Sequence, residues 1–64
     1  MQQPRLIRMG EVLERTALTR SALYRLLADN AFPAPTKPTF GRINAWSSEE
    51  VDRWIEEQLA ARAA

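Results

Sequence analysis

The sequence predicts a single, mainly helical domain with a small β-hairpin, arranged as a winged helix-turn-helix. Two short amphipathic helices joined by a tight turn occupy residues 10–28, which is the layout of a helix-turn-helix. A segment with three prolines, residues 32–46, follows and cannot continue as a helix. A third amphipathic stretch begins at Ser47. Because 64 residues leave room for one domain, we expect residues 5–64 to form it and residues 1–4 to be a flexible tail.

The first helix is expected over about Met9–Arg15, with Val12 and Leu13 facing the core. Residues 16–18 form the expected turn, and Leu18 anchors it between the two helices. Thr19 is a natural N-cap, since its hydroxyl oxygen can accept a hydrogen bond from an unpaired backbone N–H in the next turn.

The second helix is expected from about Arg20 to Asp29, and Asn30 can adopt the left-handed conformation that ends a helix. Leu23, Leu26 and Leu27 fall on one stripe of this helix because successive residues rotate by about 100°. The opposite face carries polar and small residues: Arg20, Ser21, Tyr24, Arg25 and Ala28.

The proline-containing segment predicts the hairpin. Two short extended arms, about Thr36–Lys37 and Ile43–Trp46, flank the residues 38–41. Gly41 supplies the backbone freedom that a tight turn requires. We therefore expect a β-hairpin, or wing, with Phe40 at its tip.

The last helix begins with a capping box, in which Ser47 is followed three residues later by Glu50. An apolar stripe with helical spacing then runs along the helix: Val51, Trp54, Ile55 and Leu59. We expect Trp54 and the preceding Trp46 to face the core, where aromatic side chains contribute much of the buried area of so small a domain.

Charge is distributed unevenly along the chain. Residues 1–46 carry a net charge of +4 and residues 47–64 a net charge of −3, for a total of +1. This polarity suits a protein with one face toward a polyanion and the other toward water. The alternative is ordinary surface charge that happens to be divided this way.

Composition disfavours several functional classes. The chain has neither cysteine nor histidine, so it lacks disulfides, thiolate metal sites and the commonest general base. We expect no catalysis, no metal or other cofactor and no small-molecule substrate. No apolar run approaches the roughly 18 residues of a membrane span, and the first residues lack the apolar core of a signal peptide. A cytoplasmic protein without membrane contact is therefore expected.

The polar face of the second helix is the candidate DNA-binding surface. Arginine can bond a guanine edge or grip a phosphate, and serine and tyrosine hydroxyls can reach the DNA backbone. The predicted contacts are Thr19, Arg20, Ser21, Tyr24 and Arg25, with Lys37 and Arg42 on the wing. The alternatives are a solvated helix surface and a wing tip whose Phe40 folds back onto the core.

The ordered set of residues from Arg5 to Ile55 resembles the AlpA-like phage regulators, relatives of the MerR-type winged helix-turn-helix proteins and of phage excisionases. The matching positions are Arg5–Arg8, Glu11, Val12, Thr16, Thr19–Ser21, Leu23–Leu26, Phe32, Pro33, Pro35, Lys37, Arg42, Trp46, Glu50–Asp52, Trp54 and Ile55. The chain departs from the family pattern at Thr19, usually serine, at Asn44, and in a wing tip about one residue longer.

This resemblance implies sequence-specific binding of double-stranded DNA, by a recognition helix over about Arg20–Ala28 and a wing over about Thr36–Ala45. The implied role is either regulation of phage or mobile-element genes, or excisionase activity that directs an integrase toward excision. One module covers only about 600–1,000 Å² of DNA contact, so we expect copies to bind tandem sites cooperatively. The alternative is a protein-interaction module whose acidic C-terminal helix docks on an integrase or a polymerase.

Overall fold

The computed structural model describes residues 5–36 and 44–63. These residues form three helices and two short strands, in the order β1 (Leu6–Arg8), α1 (Met9–Thr16), α2 (Arg20–Ala28), β2 (Ala45–Ser47) and α3 (Ser48–Ala63). The predicted fold class, a mainly helical domain with a small antiparallel β-element, is confirmed. None of these helices is long and apolar enough to cross a lipid bilayer.

The two-stranded sheet joins the beginning of the described chain to its last third. Strand β1 pairs antiparallel with β2, and Ile7 lies opposite Trp46 at the centre of the register. The ladder continues at Ser48, whose backbone N–H donates to the Arg5 carbonyl at 2.8 Å and whose Oγ accepts from the Arg5 N–H at 3.0 Å. Ser48 is thus the buried polar residue that ties the start of α3 to the sheet.

The two arms of the predicted wing meet at its base. Thr36 and Ala45 form an isolated antiparallel bridge, with backbone hydrogen bonds in both directions. Residues 37–43 lie outside the described part of the chain, and with them the predicted contacts Lys37 and Arg42 and the tip residue Phe40.

The turn between α1 and α2 is held by local hydrogen bonds. Ala17 adopts the left-handed conformation (φ 61°, ψ 21°), and its N–H donates to the Leu13 carbonyl at 2.9 Å. Thr16 Oγ1 donates to the Val12 carbonyl at 2.8 Å and accepts the N–H of Leu18 at 3.3 Å. These bonds end α1 within the predicted turn.

The predicted start of α2 at Arg20 is confirmed, and its end lies one residue before the predicted Asp29, which is the C-cap. Thr19 Oγ1 accepts the N–H of Ala22 at 3.1 Å, which makes Thr19 the N-cap. The helix ends at Ala28, and Asn30 has a positive φ of 57°. The N–H of Ala31 then donates to the Leu26 carbonyl at 2.8 Å, as in helix ends with a left-handed residue.

The core lies between the sheet and the inner faces of the helices. Its buried apolar residues are Ile7, Val12, Leu23, Phe32, Ala45, Trp46 and Val51. The indole of Trp46 is fully buried, and its Nε1–H donates to the Pro33 carbonyl at 2.9 Å. Trp54, predicted to face the core, is half-buried. Its ring packs edge-on against that of Phe32, with 4.9 Å between the ring centroids, and its Nε1–H donates to the Ala31 carbonyl at 2.8 Å.

An ion-pair network connects α1 with α3. Arg15 lies 2.8 Å from the Glu11 carboxylate, one turn earlier in α1, and 3.0 Å from Asp52 in α3. Glu11 also pairs with Arg5 ahead of β1. The network therefore fixes α1, which precedes α2, against α3.

Candidate nucleic-acid interface

The outer face of α2 brings together all five helix residues predicted to contact DNA. Thr19, Arg20, Ser21 and Arg25 are exposed, and Tyr24 is 50% exposed. Leu23 on the opposite face is fully buried in the core. Packing of this leucine stripe is thus what turns the polar residues outward, as the helical spacing predicts.

Helix α2 carries two arginines and no acidic residue. Neither Arg20 nor Arg25 has a carboxylate within ion-pair distance among the residues that the structure describes. Arg15 in α1, by contrast, is engaged by two carboxylates. The positive charge of α2 therefore remains uncompensated and available to an anionic partner.

The N-terminus of α2 adds to this positive character. The Thr19 side chain satisfies the N–H of Ala22, and the first backbone bond within the helix runs from the N–H of Leu23 to the Thr19 carbonyl. The N–H groups of Arg20 and Ser21 precede that bond, so they point out of the helix end. Together with the helix dipole, they favour a negatively charged group such as a phosphate.

A groove runs between the start of α1 and the outer face of α2. Arg20 and Tyr24 line it from α2, Arg8 and Gly10 line it from the start of α1, and Asn44 also contributes to its lining. The sequence interpretation missed Arg8 and counted Asn44 only as a departure from the family pattern. In the structure, buried Ile7 places its two neighbours, Leu6 and Arg8, outward. Three residues are too few for the sequence alone to show this alternation.

Arg15 of α1 is held by ion pairs with two carboxylates. Hydrogen bonding to Glu11 raises the pKa of the Arg15 guanidinium, partial burial opposes that shift, and the negative charge of Asp52 adds to it. Arg15 therefore stays protonated under all ordinary conditions. Its role is to hold α1 against α3, since its guanidinium is already occupied by two carboxylates.

Comparison with known proteins identifies the family of this chain. The family described as "Prophage CP4-57 regulatory protein (AlpA)" matches residues 5–59. The uncharacterized protein ORF88 of Enterobacteria phage P4 is 35% identical over 60 residues, which cover 94% of this chain and 67% of that protein. No solved structure matches the chain. The predicted resemblance is thus confirmed, and the chain belongs to the AlpA family of DNA-binding phage regulatory proteins.

Proposed function

We propose that this chain binds double-stranded DNA sequence-specifically by placing the outer face of α2 in the major groove. The observation that carries the proposal is the composition of that face. It presents two arginines, a serine and a half-exposed tyrosine, and it carries no acidic residue. A helix-turn-helix inserts the N-terminal half of its second helix into the groove. Arg20, Ser21 and Tyr24 lie in that half, and Arg25 lies on the same face in the last turn.

The length of the face sets an upper limit on how much sequence it can read. Arg20 and Arg25 are five residues apart, which corresponds to about 7.5 Å along the helix axis. Adjacent base pairs are about 3.4 Å apart, so the face spans two to three base pairs. Such a short footprint supports additional contacts from the wing, for which Lys37 and Arg42 are our candidates, and binding by more than one copy.

The biological role that we propose is regulation of phage genes by binding near their promoters. Excisionase activity with an integrase partner is the competing role within the same fold. The two roles place binding sites differently in the genome, because an excisionase acts at the attachment site and a regulator acts at promoters.

The test is selection and sequencing of genomic fragments bound by the purified chain. An Arg20→Ala/Arg25→Ala variant serves as the comparison. An Arg53→Ala/Arg62→Ala variant, which loses the same charge from exposed positions of α3, serves as the matched control. Circular dichroism checks that both variants fold. We expect the wild-type chain and the control to enrich the same short sites, and the α2 variant to lose that enrichment.

The genomic position of the enriched sites then separates the roles. Sites that overlap promoters support the regulator, whereas repeated sites beside an integrase gene or an attachment site indicate an excisionase. Equal enrichment by the folded α2 variant would refute recognition through α2. Absence of enrichment by the wild-type chain would refute sequence-specific DNA binding and favour a protein partner for the acidic α3.

A further inference from the structure

We propose that Arg8 and Arg20 jointly hold one phosphate of the DNA backbone in the groove between the start of α1 and α2. This inference rests on the proposed function and deepens it by separating contacts with the DNA backbone from contacts with the bases. Arg20, which sequence reasoning leaves as either a base or a phosphate contact, becomes a backbone contact. Arg8, which the sequence interpretation did not include, joins it.

The shape of the groove leaves room for a ligand between these two arginines. Both side chains are exposed and line the same groove. Gly10 lies at its wall, and a Cβ built on Gly10 meets no atom within 4 Å. Arg8 precedes the first residue of α1, but its side chain makes no capping hydrogen bond there. Its guanidinium is therefore not committed to α1.

The charges around the groove favour an anion. Within the described part of the chain, neither Arg8 nor Arg20 pairs with a carboxylate. The acidic residue that also borders the groove, Glu11, is bonded to both Arg5 and Arg15. Since Glu11 is already compensated by two guanidinium groups, it does not cancel the two positive charges at the groove.

Arg20 and Arg25 lie on different parts of the exposed face of α2. Arg20 Nη1 lies 3.1 Å from the Met9 sulfur, so its guanidinium is drawn back over α1 rather than extended away from α2. Arg25 lies about 140° further around the helix, at the far edge of the exposed face. An arginine that lies over the first helix faces the DNA backbone, which that helix crosses in a helix-turn-helix complex.

Tyr24 and Asn44 complete the polar lining of the groove. A phenolic hydroxyl and an amide N–H₂ are both donors that can bond a phosphate oxygen. The groove thus offers two cationic forks and two neutral donors to one phosphodiester group, which is the chemistry expected of a backbone contact rather than of a base reader.

The experiment compares Arg8→Ala, Arg8→Lys, Arg20→Ala, Arg20→Lys, the Arg8→Ala/Arg20→Ala double variant and the control Arg62→Ala on the selected duplex and on duplexes with single base changes. Binding is measured by fluorescence anisotropy between 50 and 200 mM salt. Each phosphate contact contributes a log–log salt slope of about −0.9. Because both arginines act on one phosphate, we expect the Arg8→Ala/Arg20→Ala double variant to lose about that much slope and each single alanine variant to lose a part of it. The salt-induced loss of affinity of the double variant should then be about 3.5-fold smaller than that of the wild-type chain.

We also expect the alanine variants at Arg8 and Arg20 to weaken all duplexes by the same factor, and the lysine variants to keep the salt slope and the base preference. An unchanged slope in Arg8→Ala would overturn the joint site while leaving the proposed function intact. A loss of preference at one base position in Arg20→Lys would show that Arg20 reads a guanine, and it would overturn the backbone assignment. A wild-type chain that does not bind DNA would overturn both proposals.

Discussion

Each tryptophan donates its indole N–H to a backbone carbonyl, but the two residues differ in burial. Replacing each with phenylalanine therefore measures how burial changes the cost of losing such a bond. Trp46 is fully buried and donates its Nε1–H to the Pro33 carbonyl at 2.9 Å. Trp54 is half-buried, and its hydrogen bond to the Ala31 carbonyl, at 2.8 Å, is exposed to solvent. Phenylalanine keeps a six-membered aromatic ring at either position but lacks the five-membered ring of the indole and its N–H.

The expected costs follow from this difference in burial. Trp46→Phe leaves the partly buried Pro33 carbonyl without its donor, which costs about 1–3 kcal/mol, and opens a small cavity that costs roughly 1 kcal/mol more. Water can replace the donor of Trp54, so Trp54→Phe should cost only about 0.5–1.5 kcal/mol. A domain of this size is stable by about 3–10 kcal/mol in total. The change at Trp46 therefore removes a large share of its stability.

Urea denaturation followed by far-ultraviolet circular dichroism measures both variants. We expect the midpoint of Trp46→Phe to fall well below that of Trp54→Phe, with similar denaturant slopes. The remaining tryptophan in each variant reports by fluorescence whether its own site is intact. If Trp54→Phe were as destabilising as Trp46→Phe, the reasoning from burial would be refuted.

Three further predictions concern the ion pairs, the N-cap and cooperativity. Arg15→Met should destabilise the domain by about 1 kcal/mol at low salt and less at high salt, because its partners are partly exposed. The folded state raises the pKa of Arg15, so this contribution is fully present below the ordinary pKa of arginine and is lost as the pH rises through the raised pKa. The cost should therefore be equal at pH 7 and pH 10. Thr19→Ala should cost about 1 kcal/mol by thermal unfolding, because it removes the cap bond to Ala22. On duplexes with two adjacent sites, a titration should show cooperative filling.

Each of these predictions has its own control. For the ion pair, Arg15→Lys keeps the charge, and a salt-independent cost of Arg15→Met would contradict an electrostatic origin. For the cap, Thr19→Ser should retain the stability of the wild-type domain, and equal destabilisation by serine and alanine would rule out the hydroxyl as the cause. For cooperativity, duplexes with the two sites far apart should fill independently. Independent filling of adjacent sites as well would remove the idea.

The features that the sequence predicts correctly depend on neighbouring residues. Thr19 caps α2 through a bond to a residue three positions away, and Asn30 ends the helix through its own backbone angle. Ser47 directly precedes α3, in the capping position that the sequence predicts, although its Oγ lies a long 3.5 Å from the backbone nitrogen of Glu50. Such local signals survive in any fold that keeps the helix, which is why composition and spacing are sufficient to predict them.

The features that escape prediction depend on contacts between distant segments. The residues of β1 are too few to show a strand pattern, and nothing in them identifies β2 as their partner. The same limit applies to the candidate site. The outer face of α2 follows from helical spacing, whereas the groove that adds Arg8 and Asn44 exists only because Arg8 pairs with Ala45 across the sheet.

The pairing of β1 with β2 also bears on how quickly the domain folds. Helix α2 and its cap form between residues three or four positions apart, which takes about a microsecond or less. The Arg5–Ser48 contact joins residues 43 positions apart, and closing so long a loop costs conformational entropy before any burial repays it. Although most of its residues are helical, this domain should fold at the pace of a mixed α/β topology, because joining the two strands is the slow step.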